Sequence, residues 1–217
     1  MTTNPEGSSH PAFTHVVHTP VSEAYSRRAD EYVEHLGSMA SVHPSDAQLV
    51  STWALEQDGP LIDAGCGPGH WTAYLAERVG DVRGVDVVPR FVEHARAAHP
   101  EQTFEIESVD ALSAAPASVG GILSWYSLIH HDPGTIQVPL REFARVLRPG
   151  GGLLLGFFTG PSIESFDHAV IGAYFWPVEA LSAEVQEAGF DIVETHTRTG
   201  QGYRPHGAIL ARRRTDA

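Results

Sequence analysis

With one cysteine, Cys66, in 217 residues, this chain has no internal disulfide to hold it together, so its stability has to come from a packed core. Basic residues are scarce too. Lys and Arg number 14 against 27 Asp and Glu, a formal charge of -13 that opposes docking on a polyanionic backbone and argues against a nucleic-acid partner. Long apolar runs are missing, the longest being short stretches such as Leu153-Leu154-Leu155, and residues 1–11 lack the basic-then-apolar pattern of a signal peptide. These absences predict a cytoplasmic protein with no membrane partner. Nor do the 13 histidines form a metal pattern: His94 and His99 are poorly spaced, and His10, His15 and His18 fall in a leader over residues 1–19 rich in Thr, Ser and Pro. No metal is expected. What the chain does have is 42% hydrophobic residues, an ordinary globular share that fits one core and one domain.

The stretch Leu61-Ile62-Asp63-Ala64-Gly65-Cys66-Gly67-Pro68-Gly69-His70-Trp71 organises the rest. Leu61 and Ile62 read as a buried parallel strand. Gly65, Gly67 and Gly69 remove Cβ atoms where a ligand must approach the backbone. Trp71, Leu75 and Val79 then repeat at helical spacing, so a helix over residues 70–80 presents its first-turn amides to the turn and favours an anionic group there. As a dinucleotide fingerprint G-x-G-x-x-G the match is incomplete, because the last position counted from Gly65 is His70.

Before this stretch, Tyr25, Ala29, Tyr32 and Leu36 fall on one face of an amphipathic helix running from Val21 to a stop at Gly37, and a second helix is predicted from a cap at Ser45-Asp46 through Leu49, Val50 and Trp53. After it, Val82 to Asp86 reads as a second parallel strand. Pro89 starts a helix with Phe91, Val92, Ala95 and Ala98 inward, and Thr103 to Glu107 and Gly120 to Tyr126 give two more strands. Asp132 as cap with Pro133 would start a helix whose inner face is Leu140, Phe143 and Leu147, stopped by Arg148-Pro149-Gly150-Gly151-Gly152. Residues 159–174 read as an irregular roof. Trp176-Pro177 opens a last helix with Val178, Leu181, Val185 and Ala188 inward, before two closing strands at residues 190–195 and 206–211. Asp86 follows Gly67 by 19 positions, about where a carboxylate reaches a ribose in nucleotide-binding sheets.

The acid-x-Gly-x-Gly-x-Gly run from Asp63, together with the Leu-Arg-Pro-Gly-Gly-Gly junction at 147–152, resembles the class I S-adenosylmethionine (SAM) dependent methyltransferases. The resemblance spans residues 20–213. It implies an α/β fold: one doubly wound, Rossmann-like seven-stranded sheet, mostly parallel, with an antiparallel C-terminal hairpin. A helical lid over residues 20–58 would cover a core over 59–217. It also implies SAM as cofactor, held by Asp63, Gly65, Cys66, Gly67, Asp86, Val87, Asp110, Ala111 and Trp125, with Asp110 taking the adenine amino group. Tyr25 and Tyr32, which spacing alone also allows as core packing, become lid aromatics over the sulfonium. Aromatic faces attract such a cation, and a cover excludes water.

The acceptor would be a small molecule. Ser124-Trp125-Tyr126-Ser127 stands where DNA amino-methylases carry Asn-Pro-Pro-Tyr, which weakens a DNA substrate. His130, after the fourth strand, is the candidate base, and Tyr126, His130, Tyr174 and Trp176 are candidate acceptor-pocket residues, with loop filling and core packing as rival readings. A SAM-binding module without catalysis and an NAD-dependent oxidoreductase stay open as alternatives.

Overall fold

The computed structural model describes residues 20–215, the Leu36 side chain excepted, so the leader expected over 1–19 lies outside the described residues. The parallel strands β1 (Leu61–Ala64), β2 (Val82–Asp86), β3 (Thr103–Ile106), β4 (Val119–Trp125) and β5 (Leu147–Phe158) are joined by helices, except that a helix-free loop over 107–118 links β3 to β4. The chain closes with α7 (Val178–Glu187) and the antiparallel pair β8 (Phe190–Arg198) and β9 (His206–Arg213). Together these strands form one seven-stranded sheet in the order β3-β2-β1-β4-β5-β9-β8. Strand order reverses between β1 and β4, and in open parallel sheets the crevice at that reversal is where ligands sit.

Alternate residues of each strand serve opposite faces. Ile62, Ile122, Leu153 and Leu155 pack with Leu140 and Phe143 of α6 (Gln137–Val146) and with Leu181 and Val185 of α7. Leu61, Leu123 and Leu154 pack instead with Trp53 of α3 (Pro44–Leu55) and with Trp71 and Leu75 of α4 (His70–Val79). The short apolar runs seen in the sequence are thus strands buried on both sides. Among the described residues no helix is long and apolar enough to cross a membrane.

The structure corrects several local readings. The expected single N-terminal helix is two, α1 (Pro20–Arg27) and α2 (Ala29–Leu36), because Arg28 leaves helical geometry at φ -119°, ψ 17°. His43 caps α3 in place of Ser45-Asp46, its ring nitrogen accepting from the Ser45 N–H at 3.2 Å with Pro44 behind it. Ala98 of α5 (Pro89–Ala98) is exposed. Asp132 does not open α6. Its side chain accepts from the Gly134 N–H at 2.9 Å in a turn that precedes the helix by several residues. Leu147 is the first residue of β5, and the Arg-Pro-Gly-Gly-Gly run continues that strand through a register shift against β4. The roof is not wholly irregular, for β6 (Glu164–Phe166) and β7 (Ala173–Phe175) pair antiparallel within it.

Phe143 is fully buried between α6 and the sheet. Phe143→Ala should cost about 3–5 kcal/mol of stability, read as a drop in the urea midpoint, since so large a cavity cannot collapse.

Candidate active site

The glycine turn is shaped by three positive-φ glycines, at 83° for Gly65, 52° for Gly67 and 89° for Gly69. At Gly65 a Cβ would lie 2.2 Å from the Ser127 Cβ, so a side chain there would push the loop after β4 off the turn. At Gly67 an added Cβ would face open space, its nearest neighbour being Tyr32 Cε1 at 4.0 Å. That space is the cleft.

The turn is held from β2. Asp86 accepts from the Gly67 N–H at 2.8 Å with one carboxylate oxygen and from the Val88 N–H at 2.8 Å with the other. The Val87 backbone also bonds to it, so about one of its roughly four lone-pair sites remains as acceptor capacity toward the cleft. Burial pushes its carboxyl up to about 6, against the opposing pull of those N–H donors.

Asp63 is elsewhere. It is buried beneath the turn, where the Thr72 hydroxyl donates to it at 2.7 Å and the Thr72 backbone also bonds to it, so it ties β1 to the first turn of α4 and does not line the cleft. Cys66 also turns inward, packing with Val92, Ala95 and Phe104. Ala111 forms a β-bridge with Ser108 outside the cleft wall. Tyr174 and Trp176 pack in or against the core beside α7, because the β7 pairing and the Tyr174 N–H bond to Ile129 O turn that segment onto the sheet.

The cleft brings together Tyr25, Tyr32, Gly65, Gly67, Asp86, Val87, Asp110, Trp125, Tyr126 and His130 of the expected residues. Sequence reading missed Val21, Val88, Phe91, Ser108, Val109, Ser127 and His131, which also line it. Of these only Ser127 had a signal, its place at the carboxyl end of β4. His131 Nε2 lies 3.1 Å from Asp110 Oδ1, so the imidazole orients that carboxylate and leaves its second oxygen free of this contact. Among the described residues none that lines the cleft is Lys or Arg.

α1 closes the cleft. The Tyr25 hydroxyl lies 2.9 Å from His130 Nε2, while His130 Nδ1 lies 2.8 Å from Gly172 O. Because a carbonyl only accepts, Nδ1 carries the proton, and in the neutral ring Nε2 is the acceptor of the Tyr25 O–H. Burial holds His130 below the ordinary histidine value, and it drives the Tyr25 phenol well above its own. Tyr25, Tyr32 and Phe91 stack edge-on or tilted, with centroids 5.1–5.9 Å apart. With this cover in place the cleft volume is about 200 Å³, below the roughly 300–1,000 Å³ of most ligand sites. Among the described residues no group of three His, Cys, Asp or Glu could hold a metal.

Residues 61–151 match the family described as "Methyltransferase domain". The matched stretch runs from β1 into β5 and takes in the glycine turn, Asp86 and Asp110. It is 30% identical over 131 residues to the malonyl-[acyl-carrier protein] O-methyltransferase of Salmonella typhimurium, covering 60% of this chain and 50% of that protein. It is 36% identical over 123 residues to the S-adenosyl-L-methionine-dependent Diels-Alderase iccD of Talaromyces variabilis, covering 53% and 41%. The chain thus spans about half the length of the curated relatives it matches. Among solved structures the [4+2]-cyclase SpnF shares the fold, with a TM-score of 0.77 at 17% identity over 89% of this chain and 96% of that one.

Asp63 should make stability pH-dependent. Burial lifts its carboxyl to about 7, above an unfolded value near ~4, so its contribution is fully present at low pH and is lost as pH rises through about 7. Asp63→Asn removes that titration. In calorimetric melts the fall in Tm between acidic and mildly alkaline buffer should be smaller for the variant, and an unchanged fall would remove Asp63 as its source.

Proposed function

We propose that the domain is a cytoplasmic SAM-dependent methyltransferase acting on a small molecule. The observation that carries this is the charge of the cleft, which offers the carboxylates Asp86 and Asp110 and aromatic faces but, among the described residues, no Lys or Arg. A dinucleotide would bring a pyrophosphate into that field, where like charges ~4 Å apart repel by about 4 kcal/mol at an effective dielectric of ~20. A sulfonium nucleoside brings a cation and a diol instead. Asp86 would hold the ribose hydroxyls, Asp110 the adenine amino group, Gly67 the close approach of the amino-acid end, and Tyr25 and Tyr32 the space over the sulfur. When bound, the cofactor supplies an electrophilic methyl group. The protein's share is alignment and exclusion of water.

His130 would serve as base. Neutral at physiological pH, it holds the Tyr25 O–H on Nε2, so an acceptor hydroxyl or ammonium could pass its proton through Tyr25 as Tyr25 gives its own to His130. Burial discourages a free Tyr25 phenolate, which favours the two transfers occurring together.

The names of two similar proteins favour a second reading. IccD is named a Diels-Alderase and SpnF a [4+2]-cyclase, so this cleft could bind the nucleoside without consuming it and promote cyclisation next to it. Product mass separates the two, because methylation adds one CH2 and cyclisation adds nothing.

Calorimetry with S-adenosylhomocysteine and with NAD should show micromolar binding of the first only, and binding of NAD alone would overturn the assignment. Asp86→Ala should weaken S-adenosylhomocysteine by about 1–3 kcal/mol, ~10–100-fold, and unchanged affinity would take Asp86 out of the site. With an acceptor in hand, kcat/KM should fall on the acid side at a pKa below the usual ~6.5 of histidine, and His130→Ala should flatten that limb.

A further inference from the structure

A second cavity of about 510 Å³ opens beside the cleft, between the start of α3 and the end of β8. It lies at the same carboxyl edge of the sheet, since Phe158, the last residue of β5, pairs with His206, and His206 pairs with Arg198. Trp125 belongs to both walls. The remaining lining combines carbon from Leu49 and Ala208 with a polar cluster built on Asp46. Asp46 is 7% exposed, and Arg198 Nη2 donates to its Oδ2 at 2.8 Å. His206 Nε2 lies 3.7 Å from Asp46 Oδ1, and His206 Nδ1 meets the Tyr126 hydroxyl. Tyr126 holds φ 59°, an uncommon state for a side-chain-bearing residue, and its ring is stacked on His206 at 6.1 Å. The cluster therefore joins the two cavities through side chains on each side of Trp125.

Charge inside the cluster is balanced. Asp46 and Arg198 neutralise each other, and burial keeps His206 below its ordinary value, so the imidazole is neutral. What stays unsatisfied is a donor: Arg198 Nε is buried and has no hydrogen-bond partner among the described residues. A buried N–H without an acceptor costs about 1–3 kcal/mol, and a ligand oxygen that draws the Arg198 side chain toward the cavity would recover it.

We propose that this second cavity binds a mostly apolar small molecule bearing a carbonyl or carboxylate oxygen, received by the Arg198 Nε–H, with Trp125 as the partition from the cleft. Taking this molecule as the methyl acceptor rests on the reading of the cleft as a sulfonium-nucleoside site. Occupancy of the cavity does not.

The test uses the full chain and three probes of one shape, benzoate, methyl benzoate and toluene, titrated by saturation-transfer NMR, with S-adenosylhomocysteine calorimetry on the same samples. Both oxygen-bearing probes should bind at least tenfold more tightly than toluene, and binding of benzoate alone would support the carboxylate source. Arg198→Lys keeps a cation for Asp46 but lacks Nε–H, and it should erase the tenfold preference. Leu49→Trp fills the cavity without touching the ion pair and should abolish binding of all three probes, with S-adenosylhomocysteine affinity unchanged. No preference in the wild type, or probe binding that survives Leu49→Trp, would overturn the proposal while leaving the cleft assignment intact. Probe binding without S-adenosylhomocysteine binding would support this cavity and sink the cleft assignment.

Discussion

Backbone N–H groups donating to one carboxylate fix the geometry on which the rest of the cleft depends. Asp86 ends β2 and bonds the Gly67 N–H of the turn that follows β1 and the Val88 N–H just before α5. Neighbouring strands are thereby tied together at their carboxyl ends, and the glycine turn is held open above the sheet. Charge-assisted bonds of this kind are about twice as strong as neutral ones, which helps the acid remain buried. The same carboxylate then faces the cleft, so the group that positions the binding surface is part of that surface.

Much of this arrangement was legible in the chain. Leu61-Ile62 and Leu153-Leu154-Leu155 announced doubly buried strands, and the spacing from Gly67 to Asp86 placed an acid at the end of the neighbouring strand. The acid of the glycine motif itself reads differently in three dimensions. Asp63 faces α4, since successive strand residues point to opposite sides and Asp63 shares the α3–α4 side of β1 with Leu61. Cys66, which the family resemblance puts on the ligand surface, turns its side chain instead into a gap under α5.

Contacts between distant segments were not legible. Nothing in a local pattern pairs Tyr25 with His130, His131 with Asp110, or Tyr126 with His206, because each pair forms only when segments far apart in the chain meet at one edge of the sheet. The break at Arg28 was hidden for a related reason. A helical spacing of apolar residues persists across it, and the interruption comes with a tertiary contact, the Arg28 guanidinium donating to Ala169 O in the roof.

That break gives the two halves of the cover separate attachments. α1 is fastened by Ser22 to Val87 O and by Tyr25 to His130, whereas Asp30 of α2 grips Arg90. Detaching α1 would break these neutral hydrogen bonds, each worth about 1 kcal/mol net, and would also uncover Ala24 and the Tyr25 ring packed on Tyr32 and Phe91. The ring that α1 covers is thus the same imidazole that receives the Tyr25 hydroxyl, so closing the cleft and completing the His130 hydrogen-bond set are one event.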